Sequence, residues 1–498
     1  MEMAARMAAR MASAALRSNQ RKNSLLVTTR RYLGSASDAC DLDRRLGDKE
    51  LEGMKKINLL RREQNWIHRH VIPGMTYVTF FQISGGSDAE PGKLPTEYLQ
   101  NRLRAIVKEN PWLRSRLAYY NRELVLAYHD ESSSDLGSEA PNAEEHDMKD
   151  IFHIYDSSDV QISVDMPHSK LPEAVSSMCV PLAAKTVGTN CPRFKLSIVR
   201  DSENPQRFAV VASMCHIMGD GATFYKIWNM FGQDSDITAL NPSRYMKIEN
   251  TIKQSFGLPE YNFQWKFVFN IVWENIITLF TGKKHVDMRA FAVNESWIAA
   301  QKVAYKEGES ERSSSDPEYL TTNDILSQWI LKFIKPDIGT IPLNVRVKSE
   351  MGTTGELPTE NDAGNYIGDL LFLQEDYESP ALIRKAISNR KRSAEPKTKL
   401  PDLVEVFGKR LHLVTNISGG YSDVDLDGCH TVVHYPMYDW QTLCSENKSL
   451  SIIWRPCKDK LAVMMTGVDV GERLDDALSN GELEWIDPDF PIQINTKE

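Results

Sequence analysis

Residues 212–228 read ASMCHIMGDGATFYKIW and constrain the fold more than any other part of the chain. His216 directly follows an apolar run, and Asp220 and Gly221 come four and five positions later. Gly219 and Gly221 allow the backbone to bend back sharply. An aspartate at a helix N-terminus is stabilised by the exposed N–H groups and the helix dipole. The stretch predicts a strand, a tight turn and a helix, with His216 projecting from the strand end into a cleft.

Helix-like and strand-like patterns alternate along the rest of the chain. Apolar residues at helical spacing predict one helix at the start of residues 94–117 and two more over residues 222–231 and 319–334. Residues 293–306 predict a strand that runs into a helix. Further strands are predicted in residues 123–128, 193–200, 207–215, 340–345, 369–373, 411–416, 431–435, 450–454 and 461–466. Strands alternating with helices predict a mixed α/β fold.

His216 is the strongest candidate for chemistry. A neutral imidazole with a pKa of about 6.5 suits a general base near pH 7. The alternative is a core histidine whose hydrogen bonds are satisfied beside a helix cap. Cys215 could be a nucleophile, but a cysteine within a strand is more often packed.

Residues 216–221, HIMGDG, resemble the HxxxDG motif of the CoA-dependent acyltransferase superfamily. That superfamily includes the BAHD acyltransferases, the wax ester synthase/diacylglycerol acyltransferases and the condensation domains of peptide synthetases. Other segments resemble the superfamily in the same order over most of residues 55–470: LRAIVKENPWLRSRL, PRFKLSIVR, YLTTNDILSQWIL, PLNVRVK and GNYIGD. The DFGWG signature of the plant BAHD branch is absent from the sequence.

The resemblance implies two similar chloramphenicol-acetyltransferase-like lobes, each a mixed sheet with helices, and a tunnel between them. His216 would lie in the tunnel and take a proton from an acceptor hydroxyl or amine. Acyl-CoA would be the co-substrate, and neither a bound cofactor nor a metal ion would be required. Residues 38–245 are then the N-terminal lobe, 246–290 a crossover segment and 291–498 the C-terminal lobe.

The resemblance also implies roles for other residues. Asp220 and Gly221 would be structural, and Asp220 would pair with an arginine of the second lobe. Arg346 is the candidate for that arginine, and an ordinary surface arginine is the alternative. Asn344 and Asn365 are candidates to line or shape the tunnel.

The first 37 residues differ from the rest of the chain. They contain six arginines and one lysine against one glutamate, with many small and apolar residues. An Arg-rich, Ser-containing, acid-poor start is typical of an organelle transit peptide. We expect a mitochondrial protein; a plastid address and a disordered tail without an address are the alternatives.

Composition excludes some partners. The formal net charge is −9, so a large basic surface for nucleic acid is not expected. The seven cysteines form no CxxC pair, which argues against a Cys-rich zinc site and fits a reducing compartment.

Residues 263–280 are apolar but interrupted by Lys266 and Glu274, so we expect a buried helix there and no membrane span. A helix at a membrane surface is the alternative, and peripheral membrane contact stays open.

The sequence thus predicts a monomeric acyltransferase that uses acyl-CoA and a small, lipophilic hydroxyl acceptor. One alternative is a condensation-type enzyme with a carrier-protein acyl donor. Another is a non-catalytic relative that binds a ligand or partner. A dihydrolipoyl acyltransferase is disfavoured, because its motif lies near the C-terminus, whereas 277 residues (498 minus 221) follow Gly221 here.

Overall fold

The computed structural model describes most of the chain. The described residues are 48–84, 93–129, 148–257, 284–308, 313–347, 357–392, 399–402, 405–438 and 440–480, with the single residues 261, 263, 266, 270, 274 and 486. The predicted transit peptide, residues 1–37, lies outside them, as does most of the apolar stretch 263–280.

Strands and helices alternate, which confirms the predicted mixed α/β class. The strands are β1 Lys55–Asn58, β2 Met75–Ile83, β3 Arg116–Tyr120, β4 Glu123–Tyr128, β5 Phe152–Tyr155, β6 Phe194–Arg200, β7 Arg207–Met214, β8 Asp287–Ala292, β9 Ile338–Asn344, β10 Ile367–Phe372, β11 Leu411–Asn416, β12 Cys429–Met437, β13 Lys448–Cys457 and β14 Lys460–Gly467.

The α-helices are α1 Asp48–Glu52, α2 Trp66–His70, α3 Thr96–Glu109, α4 Leu171–Ala174, α5 Ala183–Thr186, α6 Gly221–Asn229, α7 Ile248–Phe256, α8 Glu295–Glu307, α9 Thr322–Ile334, α10 Pro380–Asn389, α11 Trp440–Leu443 and α12 Val470–Ser479. Short 3-10 helices span Pro111–Arg114, Ser176–Met178 and Gln374–Tyr377. No helix in the described ranges is both long and apolar enough to cross a membrane.

The N-terminal half is built on a five-stranded sheet with the order β12-β2-β7-β6-β5. Its strands pair antiparallel, except β5 with β6. Strands β2, β6 and β7 are almost wholly buried on both faces, because helices cover one face and the second lobe covers the other. β7 ends two residues before His216.

The C-terminal half is built on a six-stranded mixed sheet with the order β10-β9-β11-β13-β14-β8. β11 runs parallel to both β9 and β13. Helices α9, α10 and α12 pack their apolar residues on one face of this sheet. α9 begins with a capping box, in which the Asp324 N–H donates to Thr321 Oγ1 and the Thr321 N–H to Asp324 Oδ2.

One strand joins the two halves. β12 comes from the C-terminal part of the chain but pairs with β2 at the edge of the N-terminal sheet. Side chains from both sheets, such as Val78 and Val211 against Ile452 and Met464, then form one buried apolar cluster. β12 thus belongs to the predicted C-terminal lobe, residues 291–498, but pairs within the N-terminal sheet. The lobe boundaries drawn from the sequence stay a prediction.

The predicted strands outside residues 293–306 are all present, and β4 and β11 have the predicted bounds. The sequence did not locate β1, β2, β3, β5 and β8; β8 ends before residue 293, so the strand predicted at the start of 293–306 is absent, and the helix α8 follows. These strands are short edge strands or, in β2, a buried strand in which apolar and polar residues do not alternate as they do in a half-buried strand. Cys191 is disulfide-bonded, which the sequence also did not predict.

Candidate active site

A cavity of about 840 Å³ lies between the two halves of the molecule. Helices α2 and α6 line it from the N-terminal side, and strands β9, β10, β11 and β13 line it from the six-stranded sheet. Its volume is in the range that holds a small organic ligand. His216, Gly221, Asn344 and Arg346 all line this cavity.

The predicted strand–turn–helix brings His216 to the cavity. The turn is held by the Met218 N–H, which donates to the Cys215 carbonyl oxygen. The glycine that the turn requires is Gly219, because a Cβ there would lie 2.6 Å from Thr223 Cβ. At Gly221 an added Cβ would meet Ile417 at an ordinary 3.6 Å. Gly221 therefore begins α6 without a steric need for glycine.

Asn365 determines which nitrogen of His216 carries the proton. The Asn365 Nδ2 amide donates to the His216 carbonyl oxygen at 2.7 Å and to Glu63 Oε1 at 3.0 Å. Its Oδ1 is therefore an acceptor, and it lies 3.0 Å from His216 Nδ1. Nδ1 must carry the hydrogen, which leaves the lone pair on Nε2.

The ring of His216 is held neutral. Burial lowers its pKa and outweighs the opposing effects of hydrogen bonds and of the Asp220 charge; the Arg62 charge adds a smaller lowering. A neutral ring whose Nε2 faces a cavity can accept a proton from a bound hydroxyl or amine. It cannot serve as the acid until it has taken that proton.

Asp220 joins the two halves. Its Oδ2 accepts from Arg346 Nη1 at 2.7 Å and from the Tyr366 N–H at 3.0 Å. Its Oδ1 accepts from the Thr223 N–H at 3.0 Å and so caps α6. Burial alone would raise the pKa of Asp220, but the guanidinium and these donors outweigh burial and hold it below its ordinary value. Both carboxylate oxygens are occupied.

Arg346 is fixed by several acceptors besides Asp220. It donates from Nη2 to the Gly364 carbonyl oxygen at 2.8 Å and from Nε to that of Asp362 at 2.9 Å. Asn344 Oδ1 accepts from both the backbone N–H and Nη1 of Arg346, each at 3.1 Å. Asn344 therefore orients the arginine as well as lining the cavity.

No protein-family model and no curated protein matches the chain. Among solved structures, F. sporotrichioides TRI101 complexed with coenzyme A and T-2 is similar over 86% of this chain and 99% of its own, with 11% identity and a TM-score of 0.54. The chain therefore has the two-lobed α/β fold of TRI101. Vinorine synthase is similar over 88% of this chain and 96% of its own, at 13% identity and a TM-score of 0.49. The first condensation domain of the CDA synthetase is similar over 85% of this chain and 94% of its own, at 12% identity and a TM-score of 0.48.

Within this two-lobed fold, the sequence missed a buried ion pair beside the motif. Arg244 Nε donates to Glu63 Oε2 at 2.9 Å, and both side chains are fully buried. Arg244 also donates to the carbonyl oxygens of Met218 and Ala363, at 2.8 and 2.7 Å. Glu63 Oε1 in turn accepts from the backbone N–H of Asn365 at 3.0 Å. The pair thus holds both the turn after His216 and the asparagine that orients His216.

The sequence also missed His68, which lies on α2 and lines the same cavity. Its ring centroid is 5.8 Å from that of His216, edge to face. Burial, followed by the His216 and Arg62 charges, lowers the pKa of His68 well below its ordinary value. No sequence pattern marked His68 or Glu63, because neither belongs to a motif or a predicted element. Among the described residues, no cluster of three or more His, Cys, Asp and Glu side chains could hold a metal ion.

Proposed function

We propose that the protein transfers an acyl group from a CoA thioester to a hydroxyl group of a small, lipophilic acceptor. The observation that carries the proposal is His216, neutral, with Nδ1 bound to Asn365 and Nε2 facing a cavity between two lobes. The fold is that of TRI101, which was solved with coenzyme A and T-2. We extend the use of a CoA thioester from that protein to this chain.

The proposed reaction needs one base. His216 Nε2 takes the proton of the acceptor hydroxyl as its oxygen attacks the thioester carbonyl carbon. The tetrahedral intermediate then collapses, the C–S bond breaks, and the CoA thiolate takes the proton from His216. The ester and CoA leave, and the imidazole is neutral again. Asp220, Arg346 and Asn344 hold the turn and do not exchange protons with the substrate.

The cavity walls support an acceptor with apolar surface. Several aliphatic and aromatic side chains line it, including Ile252, Phe263, Leu371, Leu413 and Ile452. Leu413 is also among the few large apolar side chains left exposed in the described residues. Burying the apolar part of an acceptor there would contribute about 25 cal/mol for each Å² removed from water.

The proposal is tested with the purified full-length protein and the variant His216→Ala. Release of free CoA from acetyl-, malonyl- and long-chain acyl-CoA is followed with and without an extract of lipophilic alcohols. We expect acceptor-dependent release that falls by about 10²- to 10⁴-fold in the variant.

Cys215→Ala is the matched control, because Cys215 is the buried neighbour of His216 and has no role in the proposed reaction. It should retain most of the activity. Full activity in His216→Ala would refute the base role. Absence of release from every donor, together with no binding of CoA, would refute the use of acyl-CoA.

A further inference from the structure

The tautomer of His68 follows from its neighbour Asn65. Asn65 Oδ1 accepts from the backbone N–H of His68 at 2.9 Å, as the N-cap of α2. The same oxygen lies 3.2 Å from His68 Nδ1. Two lone-pair atoms cannot form a hydrogen bond, so Nδ1 carries the hydrogen and Nε2 keeps the lone pair. His68 therefore has the same tautomer as His216.

The Nε2 atoms of both histidines are available in the cavity. Neither makes a hydrogen bond to another described residue, and neither is among the buried polar atoms that lack a partner. His68 is nevertheless only 7% exposed and lines the cavity with His216. A ligand in the cavity thus meets two neutral nitrogen acceptors.

Two acceptors require two donors. A buried acceptor that exchanges water for an apolar ligand without a new hydrogen bond weakens the binding of that ligand. A simple alcohol has one O–H group, and that hydrogen bond is taken by His216 in the proposed reaction. A bound simple alcohol would therefore offer His68 Nε2 no donor of its own.

An ion pair lies close to the two histidines. The Arg62 guanidinium lies close enough to lower the pKa of both His68 and His216. It is held there by Asp369 Oδ2 at 3.3 Å and by the Ile367 carbonyl oxygen. A protonated amine would meet both the guanidinium and the Asp369 carboxylate, whereas a neutral hydroxyl carries no charge that either would repel.

We propose that His68 Nε2 accepts a hydrogen bond from a second hydroxyl of the acceptor, so that the acceptor is a 1,2-diol or a higher polyol with an apolar remainder. This inference rests on the proposed function, because it assigns His216 to the reacting hydroxyl. His68 then determines acceptor specificity, and His216 performs the proton transfer.

The first test is ¹⁵N NMR of the full-length protein labelled at histidine. Two-bond ¹H–¹⁵N correlations report which ring nitrogen carries the proton, and His68→Leu and His216→Ala assign the signals. We expect Nδ1–H in both rings. Added 1,2-octanediol should shift the Nε2 signals of both rings, and 1-octanol that of His216 alone. A proton on His68 Nε2, an unmoved His68 signal with the diol, or an equal response to 1-octanol or octylamine would overturn the inference.

The second test is kinetic and uses the same probes with acetyl-CoA. His68→Leu should lower the preference in kcat/KM for 1,2-octanediol over 1-octanol by about ten-fold, because one hydrogen bond is lost. His70→Leu is the matched control, since His70 lies on the same helix and stacks on Trp66, and neither of these two residues lines the cavity. An unchanged preference in His68→Leu would overturn the inference while acyl transfer itself stands. Binding of the diol without transfer from any acyl-CoA would instead refute the proposed function.

Discussion

His216 and His68 present the same neutral tautomer to one cavity, but the protein supports the two rings differently. The asparagine that orients His216 comes from a distant segment and is itself held by Glu63 and Arg244. The asparagine that orients His68 is three residues away and is part of the same short helix cap.

The difference indicates how much positional precision each role needs. A base must keep its lone pair within hydrogen-bond distance of one reacting atom throughout the reaction. The cross-linked support of His216 restricts the ring to that geometry. A group that binds one feature of the acceptor tolerates some adjustment, which a local cap allows.

The largest effect is expected when the Arg244–Glu63 ion pair, which holds Asn365 and the turn after His216, is broken. Arg244→Met should lower the free energy of unfolding by about 3–5 kcal/mol, because it leaves the fully buried Glu63 carboxylate without its charge partner. Denaturant unfolding of the variant measures this loss. Lys284→Met, which removes an exposed pair with Glu446, is the control and should change stability little. Similar stability of the two variants would contradict the assigned importance of the buried pair.

The second largest effect is expected on the orientation of the His216 ring. Asn365→Ala should lower kcat/KM by about 10- to 100-fold, since His216 loses the partner that sets its tautomer. Activity requires the neutral ring and is lost as the pH falls through the pKa of His216, which lies below 6.5. The Asn365 hydrogen bond raises that pKa, so the acid limb of the pH profile should move to lower pH in the variant. A loss of activity with an unmoved acid limb would indicate a purely structural role.

The smallest effect is expected at Asn65, the asparagine that orients His68. Asn65→Ala removes the cap of α2 and should cost about 1 kcal/mol of stability. It also frees the tautomer of His68, so the diol preference should fall while kcat with 1-octanol changes little. Asn294→Ala removes the cap of α8 and serves as the control for stability alone. A diol preference that falls equally in both variants would remove the distinction between the two histidines.

Local patterns in the sequence were enough for much of the fold. The apolar spacing of α9 and the bounds of β4 and β11 were readable, since each depends on residues close together in the chain. The turn at His216 was readable for the same reason. The pairing of β12 with β2 was not, because no local pattern specifies which sheet a strand joins.

The residues of the site likewise fall into those that form a local motif and those that only the fold brings together. The sequence by itself determined the motif: a histidine at a strand end, an aspartate that caps the next helix, and the glycine of the turn between them. Only the tertiary structure decided that Glu63 meets Arg244 across 181 residues and Asn365 across 302, and that His68 faces His216. The physical reason is that buried polar groups must find partners wherever the packed lobes bring them, and that choice has no periodicity along the chain.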